Sequence, residues 1–272
     1  MWVLNRAIGG LIDGLLFPFR ALPAAVGLTV ISVLAAVGML LVFKATSDQP
    51  RLATTKRRIQ AAILEIRLLN EDPRFVLAAQ RDVLRHTVAY VRLTLVPLLW
   101  MALPLLILMA HLQAYYGYRG PEVGAPAIVK AKLENAAAYS VTSSLVGDVG
   151  VMVETPVLWV PALLEADWRI TATAPGKHEL RLTLGNAVMT KTVLVSGAPG
   201  RRSVRRPSAS LLDQLLYPSE APLVSGAVAA IEVGYPAGEV SLLGWETHWV
   251  IAFLIITLLA AFALRGPLRV TF

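Results

Sequence analysis

The stretch KRRIQAAILEIRLLNEDPRFVLAAQRDVLRHTVAY, residues 56–90, decides how the rest of the chain is arranged. It is highly charged and lies between two apolar segments, 24–43 and 93–112. Apolar residues recur at helical spacing in both halves: Ile59, Ala62, Ile63, Ile66 and Leu69, then Val76, Ala79, Val83 and Tyr90. Asp72-Pro73 between them supplies an N-cap and a first helical residue. The stretch therefore predicts a hairpin of two helices joined at 70–72.

The two flanking segments have about the length that a bilayer requires. Segment 248–264 is a third apolar run, flanked by Trp245 and Trp249 on one side and by Arg265 on the other, as in interfacial anchoring. The chain is 56% hydrophobic and only 16% charged, whereas soluble domains average about 25% charged residues. Its mean hydropathy is +0.62. We therefore predict three transmembrane helices, at 24–43, 93–112 and 248–264. The first is longer than the apolar run of a cleaved signal peptide, so we expect it to be retained.

The distribution of charge predicts the orientation of these spans. The loop 44–92 contains ten Lys and Arg residues against five Asp and Glu residues. Because loops of this length follow the positive-inside rule, the hairpin should be cytoplasmic. The N-terminus and the loop 113–247 should then lie outside, and the tail 265–272 inside. We predict a multi-pass protein of the bacterial cytoplasmic (inner) membrane, and no binding to DNA, because no compact basic domain accompanies the net charge of +7.

Residues 1–23 precede the first span and have an amphipathic pattern. Apolar residues recur on one helical face: Leu4, Ile8, Leu11, Leu15 and Phe19. Arg6, Asp13 and Arg20 fall on another face. This pattern predicts an external helix in the membrane interface. Pro18 and Pro23 should end it before the chain enters the bilayer.

The outer loop is dominated by short alternating runs of apolar and polar residues. Five such runs occur in 113–200, at 127–133, 149–155, 168–174, 178–184 and 189–195. Pro175-Gly176 and Gly185-Asn186 mark turns between the last three. We predict a small antiparallel sandwich, whose last strands resemble those of an immunoglobulin-like module. Residues 201–247 should supply a basic linker, a short amphipathic helix at 208–218 capped by Ser208 or Ser210, and a return segment in which 231–245 adds a further strand or hairpin.

Reactive chemistry is poorly represented in the sequence. There is no cysteine, which excludes disulfides and thiol catalysis. The four histidines are far apart in sequence and no HExxH spacing occurs. Asp167, His178 and Glu179 are interpreted as scattered surface residues. We therefore predict that the protein is not an enzyme and that it uses no catalytic residue, metal or cofactor.

The order of these parts resembles the YidC/Oxa-type membrane protein insertase superfamily. The resemblance is carried by LNRAIGGLIDGLLFPF at 4–19, the hairpin at 56–90 and the proline-containing second span. The chain looks most like the three-span branch, which includes small archaeal homologues and the Oxa-like subunit of the ER membrane complex. The resemblance covers about residues 1–115 and 246–272, so the outer β domain is interpreted as an insertion.

The resemblance implies a membrane insertase or chaperone that receives substrate segments in a polar groove between its spans. The groove candidates are Arg20, Lys44 and Arg92, all at span edges, because no arginine lies within a span as it does in many bacterial members. The arm that recruits a nascent chain or the ribosome would use Lys56, Arg57, Arg58, Arg67, Arg81 and Arg85. Pro97 and Pro104 would bend the second span.

A second hypothesis stays open beside the insertase. The chain would then be a non-catalytic structural or assembly subunit of a membrane complex. It would keep the helical scaffold in the lipid bilayer and bind an extracytoplasmic protein partner through the β domain.

Overall fold

The computed structural model describes residues 1–68, 73–195, 200–224, 226–242 and 244–270, and it has mixed helical and β content. The chain divides into two compact units. We call Met1–Gly27 with Ile107–Ala252 the β-containing unit, and Leu28–Leu106 with Phe253–Phe272 the helical unit.

The helices follow the apolar periodicity of the sequence, and α1 ends just before a proline. They are α1 (Trp2–Leu16), α2 (Ala24–Thr46), α3 (Gln49–Leu68), α4 (Pro73–Tyr116), α5 (Leu211–Leu216) and α6 (Trp249–Leu264). A 3-10 turn at Phe17–Phe19 follows α1, and α2 begins directly after Pro23. Proline lacks the backbone N–H that a helix interior needs. The helix and its end in the N-terminal segment are thus confirmed.

Two of these helices, α2 and α4, are long and apolar enough to cross a membrane, as judged by length and composition. The third apolar helix, α6, has 16 residues and therefore extends about 24 Å at 1.5 Å per residue. This is shorter than a hydrocarbon core of about 30 Å.

The hairpin stretch lies on two helices, and the second of them is longer than its pattern indicated. α3 ends at Leu68 and α4 begins at Pro73, but the predicted joint, with Leu69 and the Asp72 cap, lies outside the described residues. α4 then continues through the second apolar segment as one helix of 44 residues.

Burial along the hairpin follows the predicted stripe closely. Ala62 and Ala79 are buried, and their apolar neighbours Ile59, Ile66, Val76, Val83 and Tyr90 are half-buried. Ile63, which we assigned to the same stripe, is exposed. The buried face of α3 is therefore narrower than the periodicity alone predicted.

The β strands all belong to the β-containing unit. They are β1 (Pro126–Leu133), β2 (Ser143–Gly147), β3 (Val151–Val153), β4 (Leu158–Val160), β5 (Glu165–Ala172), β6 (Gly176–Leu184), β7 (Ala187–Val195), β8 (Arg205–Arg206), β9 (Val228–Val233), β10 (Val240–Leu242) and β11 (Trp245–Thr247). The run 149–155 is a strand only over β3. The sequence pattern did not indicate β2, β4 or β8.

The strands form two larger antiparallel sheets and a hairpin. One sheet has the order β3-β5-β1-β9-β8, with β4 also paired to β5, and the other has the order β2-β6-β7. β10 and β11 pair as a separate hairpin. The two-residue turn Gly185-Asn186 joins β6 to β7, and Gly185 has φ 57° as such turns require. Pro175-Gly176, by contrast, leads from β5 in one sheet to β6 in the other.

Alternate residues of both larger sheets bury into one shared hydrophobic core. Val129 of β1, Trp168 of β5 and Ile231 of β9 come from the first sheet, and Leu180 and Leu182 of β6 come from the second. The period of two along each strand explains this arrangement, since every second side chain points to the same face. The predicted antiparallel β domain with an inner apolar face is present.

Candidate functional site

The three predicted groove cations are not brought together within either unit. Arg20 belongs to the β-containing unit, where its guanidinium lies 5.4 Å from the Phe17 ring centre and 3.7 Å from the Asp13 carboxylate. Lys44 and Arg92 belong to the helical unit. Lys44 Nζ donates a hydrogen bond of 2.9 Å to the carbonyl of Leu268, which lies in the segment that follows α6. Arg92 is exposed on α4.

The arm presents its positive charge outward. All six predicted recruiting residues are exposed: Lys56, Arg57, Arg58, Arg67, Arg81 and Arg85. The first four lie on α3 and the last two on α4. A basic surface of this kind attracts polyanions or anionic headgroups.

Both predicted span-bending prolines lie inside α4. Pro97 is buried and Pro104 is exposed. Each removes one helical hydrogen bond, so the carbonyls of Leu93 and Trp100 lose the N–H four residues later. Around them the apolar side chains of α4 are largely exposed, including Leu99, Trp100 and Leu103.

The two amphipathic helices of the β-containing unit turn apolar side chains away from the protein. α1 buries Asn5, Gly9, Ile12 and Leu16, whereas Val3, Leu4, Leu11 and Leu15 on its other faces are exposed. Ser210 caps α5 by accepting from the Asp213 N–H, and Leu211, Leu212 and Leu216 of this helix are exposed. Asn5 Nδ2 donates to the Gln214 carbonyl at 2.6 Å. The helices therefore contact each other through polar groups and leave leucines outward.

The free edge of β7 is covered by side chains from the segment that follows it. Arg206 donates to the Thr190 carbonyl, the Glu220 carboxylate accepts from the Thr192 N–H at 2.6 Å, and the Tyr235 hydroxyl accepts from the Leu194 N–H at 3.0 Å. Alternate residues of an edge strand point their backbone N–H and C=O groups outward, and unpaired groups of this kind can pair with another strand. Side chains here take the place of a neighbouring strand.

A polar cluster of the unit centres on Lys191, which is 1% exposed. Its Nζ donates to Glu220 Oε2 at 2.7 Å and to Ser203 Oγ at 2.9 Å. Burial lowers the pKa of Lys191, but the adjacent Glu220 carboxylate favours the protonated form. A serine–lysine catalytic pair needs a neutral amine as its base. The ion pair with Glu220 therefore favours a structural role for this lysine.

His178 is more constrained than the sequence indicated. Its Nδ1 lies 2.9 Å from Asp148 Oδ1, and its Nε2 lies 2.9 Å from the Ala174 carbonyl. Burial raises the pKa of Asp148, but hydrogen bonds from the Glu179 and Gly150 N–H groups outweigh it and lower the pKa overall. The interpretation of His178 as a scattered surface residue is wrong, because it connects the loop before β3 to the start of β6.

One cavity is lined in part by Arg20, Tyr115, Tyr116 and Arg202, and we call it the Tyr–Arg cavity. It has a volume of about 160 Å³. Tyr115 Oη and Arg202 Nε are inaccessible to solvent, and neither has a hydrogen-bond partner among the described residues. Burial lowers the pKa of Arg202. Its backbone N–H donates to the Ala114 carbonyl at 2.7 Å, which fixes the arginine beside the last turn of α4.

No protein family matches this chain, and neither a curated protein nor a solved structure matches it.

Sequence patterns alone do not single out Tyr115, Lys191, Arg202 or Glu220 as functional or structural centres. Two signals were present. The run GAPGRRSVRRP at 197–207 concentrates arginines, and YYGY at 115–118 concentrates phenols at the end of an apolar segment. Neither signal specifies a partner, because the residues meet only through the tertiary fold.

Proposed function

We propose that the chain is a membrane protein insertase or chaperone of the YidC/Oxa type in the bacterial cytoplasmic membrane. Its N-terminus would lie outside, α2, α4 and α6 would cross the bilayer, and the two-sheet region would be an extracytoplasmic immunoglobulin-like domain. The observation that carries this proposal is α4. It joins a basic, exposed arm to an apolar stretch whose side chains are mostly not covered by protein.

The exposed apolar surface supports a membrane setting. Leu99, Trp100 and Leu103 of α4 and Leu258, Leu259 and Phe262 of α6 are exposed, and contiguous apolar surface of this kind requires lipid or another protein. The outward leucines of α1 and α5 are consistent with two helices that lie in the interface. Lys44 and Arg92 lie next to the apolar parts of α2 and α4.

The proposed mechanism uses the arm first and the apolar face of α4 second. Exposed cations on α3 and α4 would attract a nascent chain or the ribosome by long-range electrostatics. A substrate segment would then move along α4, where the carbonyls of Leu93 and Trp100 offer acceptors in an otherwise apolar surface. Such acceptors lower the cost of admitting polar groups of the substrate.

The test is insertion of a short-tailed single-span substrate into vesicles that contain the purified full-length protein. Deletion of residues 56–90 should abolish insertion above the rate of empty vesicles. The double substitution Arg57→Gln and Arg58→Gln keeps good helix formers and should slow insertion several-fold. The matched control is Arg169→Gln with Arg181→Gln, which removes two exposed charges of the β-containing unit. Wild-type rates for both arm variants would refute the proposal.

The alternative is a structural or assembly subunit that binds a partner through the β domain. The observation that favours it is a group of exposed apolar residues on that domain, Val149, Met152 and Leu158. A photo-activatable residue at position 149 or 152 should then trap one abundant membrane protein. Cross-links to many unrelated nascent chains would exclude this alternative and support the insertase.

A further inference from the structure

We propose that the Tyr–Arg cavity binds the phosphate of an anionic phospholipid. This inference rests on the membrane location proposed above but not on insertase activity. The cavity belongs entirely to the β-containing unit. Its walls include Ala24 and Gly27 from the first turn of α2 and Tyr115 and Tyr116 from the last turn of α4. It therefore opens at the ends of both helices that are long enough to cross a membrane.

The positive charge of the residues that line the cavity favours binding of an anion. Arg20 and Arg202 line it, and no carboxylate does so among the described lining residues. Arg20 lies over the Phe17 ring and pairs with Asp13 at a long distance of 3.7 Å, and Arg202 forms no ion pair within the described part of the chain. Arg202 is half-buried, and a partly desolvated guanidinium without a counter-charge is stabilised by a ligand that supplies one. Arginine also presents a planar fork of donors that suits phosphate oxygens.

Two of the residues that line the cavity carry an orphaned donor. Tyr115 Oη and Arg202 Nε are both buried, both without a partner among the described residues, and both belong to residues that line the cavity. Buried polar atoms in proteins are normally paired. A phosphate in the cavity would offer acceptor oxygens to both residues.

The size and the remaining wall favour a lipid over a free ion. The volume of about 160 Å³ equals about five water molecules at about 30 Å³ each, which suits a phosphate with part of a glycerol. Leu16, Phe19 and Leu22 provide an apolar side. Gly27 allows Tyr116 and Leu16 to pack closely against α2, because a Cβ there would lie 2.9 Å from Tyr116 Oη and 3.0 Å from a methyl carbon of Leu16.

The test measures thermal unfolding of the full-length protein in detergent as dioleoylphosphatidylglycerol is titrated in. The lipid should raise the melting temperature of the wild type. Arg202→Gln should weaken the apparent affinity about tenfold or more, as expected for loss of a charged hydrogen bond. Tyr115→Phe should also weaken it, while the melting temperature without lipid is unchanged or higher, because an unpaired buried hydroxyl is removed. Arg181→Gln, an exposed charge on β6, should behave as the wild type.

Two further probes distinguish the source of the phosphate. Glycerol 3-phosphate carries the phosphate without acyl chains, and dioleoylglycerol carries the chains without phosphate. Neither should reproduce the effect of the lipid. An equal effect of glycerol 3-phosphate would overturn the lipid assignment in favour of a soluble phosphate. Equal lipid responses of the wild type, Arg202→Gln and Tyr115→Phe would overturn the site itself. If the wild-type protein binds the lipid but does not insert the substrate, only the proposed insertase activity is refuted.

Discussion

In the β-containing unit, polar side chains connect segments that are far apart in sequence, whereas in the helical unit they mostly serve their own helix. Lys191 reaches Glu220, and Leu194 reaches Tyr235, through bonds of 2.7 Å and 3.0 Å. Ser32, Thr46 and Thr94 instead donate to carbonyls three or four residues earlier. Mid-helix hydroxyls commonly bond in this way.

The difference indicates what stabilises each unit. The β-containing unit has a shared apolar core and specific polar pairs at its edge, which are the features of a domain that folds in water. Among its described residues the helical unit exposes many apolar side chains, and the bonds of Ser32, Thr46 and Thr94 stay within one helix. If the unit spans a bilayer as proposed, its arrangement should depend on the lipid around it. The following substitutions test this comparison.

The largest effect is expected for Glu220→Gln, which leaves the charge of Lys191 buried and uncompensated. Breaking one side of a buried ion pair costs about 3–5 kcal/mol, so the unfolding free energy of the β-containing unit should fall by that amount. Near-ultraviolet circular dichroism in detergent would report on Trp168, which is 3% exposed in the core. The control is Glu239→Gln. Its carboxylate pairs with Arg119 at the surface, so the loss should stay below about 1 kcal/mol.

The double substitution Lys191→Met with Glu220→Gln separates charge from packing. Replacement of both members of a buried pair is often close to neutral, so this variant should recover most of the lost stability. A double variant as unstable as Glu220→Gln alone would show that hydrogen bonds to Ser203 and Thr192, rather than charge compensation, hold the edge.

A smaller loss is expected for Tyr235→Phe, which leaves the Leu194 N–H without its acceptor. An unsatisfied buried donor costs about 1–3 kcal/mol. The effect should depend on pH. Burial raises the pKa of Tyr235 from 10.0 to about 12, so the folded state holds the phenol proton more tightly than the unfolded state. That stabilisation is complete below pH 10 and is lost as the pH rises towards 12.

Chemical denaturation at pH 8 and at pH 11 would measure this dependence. The difference in unfolding free energy between the wild type and Tyr235→Phe should be smaller at the higher pH. A difference that is constant across this range would mean that the phenol does not titrate differently in the folded and unfolded states.

A still smaller contrast is expected between two neighbouring glycines of α1. A Cβ at Gly9 would overlap the Arg201 guanidinium, whereas a Cβ at Gly10 would meet nothing within 4 Å. Gly10→Ala should gain about 0.5–1 kcal/mol from helix propensity. Gly9→Ala should lose that gain, because Arg201 must move away from Asp13, 3.1 Å from it. Equal melting temperatures for the two variants would show that Arg201 does not anchor α1.

These contrasts also show how much of the fold could be predicted from sequence. Helices α1, α3 and α5 and strands β1, β5, β6 and β7 follow from local periodicity, because one apolar face per element is a local requirement. β2 was missed because its sequence SSLVG has little alternation, and β8 because it has only two residues. α4 was divided in two because its charge changes abruptly along its length, although the backbone continues.

The candidate sites were much less accessible to sequence reasoning. Arg20, Lys44 and Arg92 were grouped by family resemblance, and the structure places them in two units. Tyr115 and Arg202 line the same cavity, and Lys191 contacts Glu220, only because of the way in which strands and helices pack. A residue pattern with period two or 3.6 indicates which face of an element is apolar, but it does not indicate which other element that face will contact.

The smallest effect is expected within the helical unit, for Thr257→Val. Thr257 Oγ1 donates to the Ser32 carbonyl at 3.5 Å, the upper limit for a hydrogen bond, and both residues are buried. Polar contacts between membrane helices contribute about 0.6 kcal/mol on average, so this variant should lose no more than that when unfolding is measured in bicelles. Thr46→Val, which removes a bond within α2, is the control. A loss for Thr257→Val as large as that for Glu220→Gln would mean that the helical unit, like the β-containing unit, is positioned by a specific polar pair. The two units would then not differ in this respect. Burial in an apolar phase would no longer be enough to account for how the helices α2 and α6 pack.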